Sequence, residues 1–216
     1  MTRLFMNLSR PLFYSAFILT ICCGKSAHAG ADYGASRQGV ADELDAPSFE
    51  LASESAYMLG VFGNPHNYEI AGQFITARLR LGAVHSDSWM RGYNQVYFQI
   101  MGEPFIRGLE NHYFGINAGF RYNFVQPGRR WSPYVSGGVG LGDIDATKEV
   151  TPGAIGQNFT FNVQSALGVS YKMDQHWRFT AGIIYQHLSN AGLSEPERPN
   201  SSLNTLGPQL GATYSF

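Results

Sequence analysis

The chain has 216 residues, with 15 basic and 16 acidic side chains, 25 glycines, 14% aromatic and only 14% charged residues. It carries no basic run and no basic patch interleaved with aromatics, which excludes a nucleic-acid surface, and its length suits one domain. So little charge beside so much Gly and aromatic residue is unusual for a soluble globule and fits a sheet of Gly-kinked strands with an aromatic exterior.

Residues 1–29 read as a secretory signal. Arg3 and Arg10 make a positive start, Leu12 to Cys23 a short apolar run, and Ala27-His28-Ala29 a small-x-small cleavage site. The run is too short to span a bilayer as a helix. Cys22 and Cys23 both fall inside it, so the exported chain has no cysteine for a disulfide, a metal or a nucleophile. Ile21 before Cys22 argues against a lipoprotein. Losing Arg3, Arg10 and Lys25 leaves 12 of the 15 basic residues against 16 acidic ones, a net of −4.

Residues 30–52 are polar and without a sustained period, and read as a periplasmic lead-in. From 53 to 216 the pattern is that of one barrel. Eight strand-like stretches follow at about 54–63, 69–83, 89–103, 112–125, 131–143, 159–173, 176–189 and 203–216, and no capped amphipathic helix competes with them. Side chains alternate faces along a strand. From Phe159 the odd positions are mostly apolar (Phe161, Val163, Leu167, Val169, Tyr171) and the even ones polar or small; from Phe114 to Phe124 the even positions are apolar. A full-length apolar face on nearly every strand is the transmembrane-barrel signature. Trp89 is out of phase with Val96, Phe98 and Ile100, which signals a bulge or a displaced strand start.

The connections agree. Counted from a periplasmic N-terminus, short turns (84–87, 126–129, 174–175) alternate with mostly longer outer links such as 144–158 and 190–202. Trp89, Trp131 and Trp177 start upward strands, and Tyr122, Phe124, Tyr171, Tyr214 and Phe216 end downward ones, forming an interfacial girdle. The expected fold is all-β: an eight-stranded antiparallel transmembrane barrel of the outer-membrane type, its interior filled by side chains rather than water. Arg78, Arg80, Arg121, Lys172 and Arg178 are then structural lumen residues, with Gln99, Asn117 and Gln164 as hydrogen-bond partners and no evident set of acids.

The chemistry lies near the C-terminus. In the run from Trp177 to Ser189, His187 and Ser189 share the apolar, outward face. A serine nucleophile needs a base within reach and a third group to orient that base, together with donors for the oxyanion. Counting back from Phe216 puts Asn204 on the same face and end of the neighbouring strand, where its carbonyl oxygen can accept the histidine Nδ1–H. Asn190 and the amides of Ala191 and Gly192 are candidate oxyanion donors. The competing reading is bland: H-x-S-N is a short string, Ser and Asn often open loops, and His187 and Tyr185 would sit at an interface without chemistry. No phosphate loop, zinc motif or paired carboxylates appear, and the other histidines are scattered.

His187-Leu188-Ser189-Asn190-Ala191-Gly192-Leu193, followed by a Pro-Asn loop and a terminal strand, resembles the lipid A 3-O-deacylase family. The resemblance implies Ser189 as nucleophile, His187 as base, Asn190 with the Gly192 amide as oxyanion stabilisers, and hydrolysis of the 3-linked acyl ester of lipid A without metal or cofactor. One position departs from the family, whose third member is a glutamate. Its ungapped counterpart here is Ser201; aligning Pro199-Asn200 with the family's Pro-Asn, with three residues inserted, brings Asn204 there. Glu195 and Glu197 are reserve candidates. The expected partners are lipopolysaccharide and outer-membrane lipids, with room for a homodimer. Two rivals stay open: a non-enzymatic structural or adhesive barrel, and an outer-membrane phospholipase or acyltransferase using the same residues.

Overall fold

The computed structural model describes residues 48–64, 66–85, 88–146, 151–198 and 200–216. The expected signal, 1–29, and residues 30–47 of the expected lead-in lie outside the described residues. Eight strands run in chain order: β1 Phe49–Val61, β2 Glu69–His85, β3 Gly92–Arg107, β4 His112–Phe124, β5 Trp131–Ile144, β6 Phe159–Lys172, β7 Trp177–Ser189 and β8 Leu203–Ser215. Each pairs antiparallel with the next, and β8 closes on β1 with Glu50 opposite Ser215 and Val61 opposite Asn204. The barrel is all-β and closed, so no strand edge is left unpaired, as a chain in hydrocarbon requires.

Alternation sets the two surfaces. The outward positions of β4 to β6 include Phe114, Phe120, Val135, Val139, Val163 and Leu167, all exposed. The inward positions carry Asn117, Arg121, Asn162, Gln164 and Ser170, all buried. An apolar wall around a polar, filled interior is stable only in lipid, where a charge on the outer face would cost about 2–4 kcal/mol at mid-depth.

Two strand starts differ from the pattern-based reading. β1 begins at Phe49, five residues before the expected stretch. β3 begins at Gly92, leaving Trp89 in the preceding turn, where the Arg91 amide donates to the Ser88 carbonyl at 2.9 Å. Trp89 is out of phase because it is not in the strand.

The early start of β1 also corrects the account of the lumen cations. Glu50 and Glu54 point inward and are buried. Arg78 Nη2 pairs with Glu54 Oε1 at 2.5 Å, and Thr76 Oγ1 donates to Glu54 Oε2 at 2.8 Å. Arg178 pairs with Glu50, which also accepts from Gln95 Nε2 at 2.9 Å. The main partners of Arg78 and Arg178 are thus acids, not the amides of Gln99, Asn117 and Gln164. Breaking a buried pair from one side leaves an uncompensated charge. Glu54→Gln is therefore expected to destabilise the folded barrel by about 3 kcal/mol, read from urea unfolding in detergent or bilayers. The loss should be smaller for Arg107→Gln, whose pair with Glu69 at the rim is 63% exposed on the arginine side.

The end of the barrel near Ser189 is closed by an apolar cluster that includes Tyr68, Tyr113, Ile144, Ile155, Leu188 and Leu203. Leu188 and Leu203 are register partners and fully buried. Each contributes roughly 2 kcal/mol of burial and pins the tops of β7 and β8, whose outward neighbours form the site below.

Candidate active site

His187 stands opposite Asn204 in the β7–β8 ladder and opposite Val163 in the β6–β7 ladder. Because Leu188 is driven inward, His187 and Ser189 must face outward. His187 Nδ1 lies 2.8 Å from Asn204 Oδ1. The amide orientation is held independently, since Asn204 Nδ2 donates to the Phe62 carbonyl at 3.2 Å. With Oδ1 as the acceptor, the proton between the two side chains belongs to His187 Nδ1, leaving Nε2 with its lone pair. Tyr185, two residues earlier on the same face, donates its hydroxyl to the same Asn204 Oδ1 at 2.7 Å. Its part in the site was readable only as a shared face.

Ser189 ends β7. Its hydroxyl sits 3.3 Å from Asn200 Nδ2 and 3.5 Å from Asn200 Oδ1, and it accepts from the Ala191 amide at 3.2 Å. No hydrogen bond joins it to His187 among the described residues. Successive same-face residues lie roughly 6.5–7 Å apart between Cα atoms, so a rotation of the serine side chain is needed to close that gap. Catalytic hydrogen bonds commonly tighten only once substrate is bound.

The turn after the serine is unusual. Ala191 has φ 55° and Gly192 φ 79°; a left-handed alanine costs about 1–2 kcal/mol and persists where surrounding contacts enforce it. Those contacts come from Asn190. Its buried side chain donates to Ser194 Oγ at 2.7 Å and accepts the Gly192 amide at 2.9 Å. Of the oxyanion donors expected from sequence, the Gly192 amide is thus taken up by Asn190 Oδ1 and Asn190 Nδ2 by Ser194 Oγ. The polar hydrogens beside Ser189 Oγ come from the Ala191 amide, also a sequence candidate, and from Asn200 Nδ2. Asn200 stayed outside the sequence-based set because its position depends on two loops. It forms a β-bridge with Ile155, and the adjacent Ser201 amide donates to the Ala154 carbonyl at 3.1 Å. The β5–β6 loop therefore braces the β7–β8 loop.

Of the three candidates for the third member, only Asn204 reaches the histidine. Glu195 and Glu197 are exposed, and Glu195 lies over Gly192, its Oε2 3.7 Å from where a Cβ on that glycine would be. Among the described residues no cluster of His, Cys, Asp or Glu could hold a metal ion.

With a serine, an oriented histidine and an amide acceptor on one outward face, comparison with known proteins becomes informative. The family model described as Lipid A 3-O-deacylase (PagL) matches residues 74–213. The chain belongs to the lipid A 3-O-deacylase family. The match runs from β2 almost to the end of β8 and so includes His187, Ser189, Asn200 and Asn204. No curated protein matches the chain significantly. Among solved structures, the crystal structure of the outer membrane enzyme PagL is 15% identical with a TM-score of 0.53, covering 75% of this chain and 97% of that one. The crystal structure of Neisserial surface protein A (NspA) is 13% identical with a TM-score of 0.55, covering 78% of this chain and 97% of that one. At such identities the two structures share the fold with this member of the family and nothing finer.

Proposed function

We propose that the chain is an outer-membrane serine esterase that hydrolyses the ester-linked hydroxyacyl chain at position 3 of lipid A. The observation that carries this reading is the His187 Nδ1 to Asn204 Oδ1 hydrogen bond on the outward face beside Ser189. It prepares a base whose free nitrogen is available to a hydroxyl two residues away. Membership of the deacylase family supports the substrate, and the apolar wall supports the location. An ester embedded in a bilayer reaches an outward-facing serine by lateral diffusion, without entering the filled lumen.

The chemistry follows from the groups present. His187 Nε2 removes the Ser189 hydroxyl proton as Oγ attacks the acyl carbonyl carbon. Negative charge then develops on the carbonyl oxygen beside Asn200 Nδ2 and the Ala191 amide. The imidazolium, oriented by Asn204, returns its proton to the departing sugar oxygen, leaving the acyl group on Ser189. Water activated by His187 releases the hydroxy fatty acid in a second, equivalent step.

Mass spectrometry of lipid A from cells expressing the chain is expected to show loss of one ester-linked hydroxyacyl group. An unchanged acyl pattern with folded barrel in the outer membrane would sink the proposal. Release of fatty acid from phospholipid instead would favour the phospholipase rival. Asn200→Ala is expected to lower kcat by about 10²–10³-fold, as for loss of one oxyanion donor, with little change in KM. Asn190→Ala acts differently: it should loosen the turn and cost stability as well as activity.

A further inference from the structure

At the end of the barrel opposite Ser189 the lumen opens into a cavity of about 60 Å³. Five cationic side chains line it (Arg78, Arg121, Arg129, Lys172 and Arg178) against one carboxylate, Glu50. Two of the cations are matched: Arg78 by Glu54, just deeper, and Arg178 by Glu50. Among the described residues the other three have no acidic partner.

Arg121 is the decisive one. It is 5% exposed, donates from Nε to Asn123 Oδ1 at 2.9 Å and from Nη2 to Ser170 Oγ at 2.8 Å, and lies 3.6 Å over the Tyr134 ring. Every one of these partners is neutral. The guanidinium is therefore held rigidly without a direct ion pair: Glu54 and Glu50 act on it only through space while Arg78 repels it, although buried charges are normally paired. Arg80, on the same inward row of β2, has a buried Nη1 with no hydrogen-bond partner among the described residues.

We infer that this cavity is a binding site for a small phosphate-class oxyanion taken from the solvent on that side. Guanidinium groups match such an anion in geometry as well as charge, and Lys172 adds a point charge at the mouth. The hydroxyls of Ser132, Ser170 and Thr213 line the same space and supply further donors. The volume is that of one small anion. A doubly charged ion offsets the excess from Arg121, Arg129 and Lys172 better than chloride. The ladder of paired strands separates the cavity from the bilayer, so a free anion rather than a lipid headgroup is the occupant.

The test uses the folded, full-length exported chain in a nonionic detergent free of phospholipid. Inorganic phosphate is titrated against chloride at constant ionic strength, with the ³¹P line width and the thermal unfolding temperature as readouts. The expected result is saturable broadening and a saturable rise in unfolding temperature with phosphate. The double variant Arg129→Gln, Lys172→Gln, which alters only the mouth, should weaken both responses by about tenfold or more, as for loss of charge-assisted contacts. Arg121→Gln should abolish them where the barrel still folds. Equal effects of chloride, an unchanged response in the mouth variant, or protection only when phosphatidylglycerol is added would each overturn the inference.

Discussion

Ser189→Ala is expected to lower deacylation by at least about 10³-fold, and by up to about 10⁶-fold if the serine and histidine act as one unit. The barrel should keep its shift in electrophoretic mobility between heated and unheated samples. The two outcomes separate because the Ser189 hydroxyl contributes little to folding. Its contacts are with Asn200 and the Ala191 amide, at 3.2–3.5 Å, on a half-buried outward surface. The turn that follows is held by the Asn190 side chain and by the bridge from Ile155 to Asn200. Removing one oxygen from the lipid face leaves Leu188 and Leu203 in place and should change stability by less than about 1 kcal/mol. The measurement is lipid A mass spectrometry from cells carrying equal amounts of wild-type and variant barrel. Wild-type activity that survives in the variant would place the nucleophile elsewhere.

How far the sequence alone could be read depends on what each element needs. β4, β5, β6 and β8 start where the alternation does, because one face of each meets lipid and the other a filled lumen, and a one-residue slip would exchange the faces. β1 was harder. Glu50 reads as an acid of the polar lead-in until the lumen cation that pairs with it is in view, so the alternation points to a start at about 54 rather than at Phe49. The pairing of His187 with Asn204 could be counted from Phe216, since the register of two antiparallel neighbours joined near the barrel top is constrained. The oxyanion donors could not be counted in this way. Whether Asn190 turns outward or closes on the Gly192 amide depends on the left-handed Ala191. Asn200 reaches Ser189 only because a separate loop, from Ala154 to Gly156, holds its backbone. Strand register follows from a period; loop-on-loop contact does not.

The amide at position 204 carries the second large effect. Asn204→Ala removes the acceptor shared by His187 Nδ1 and the Tyr185 hydroxyl, leaving the imidazole free to turn and to take the other tautomer. A fall of about 10²–10⁴-fold in kcat/KM is expected, in the range for loss of a triad's orienting member. Asn204→Asp separates orientation from charge. It keeps the acceptor for both donors, loses the donation from Nδ2 to the Phe62 carbonyl, a 3.2 Å contact at an exposed position, and turns a carboxylate oxygen toward that carbonyl. That loss is worth about 0.5–1.5 kcal/mol, whereas a charged acceptor strengthens a hydrogen bond to about 1.5–3 kcal/mol. The gain should win. A carboxylate behind the ring favours the imidazolium formed as Ser189 loses its proton, so the plateau rate should rise. The Asp variant is thus expected to be faster than the wild type. An Asp variant slower at every pH with its fold intact would mean that the Phe62 contact, rather than missing charge, governs the ring. An Asn204→Ala variant as active as wild type would remove Asn204 from the catalytic set.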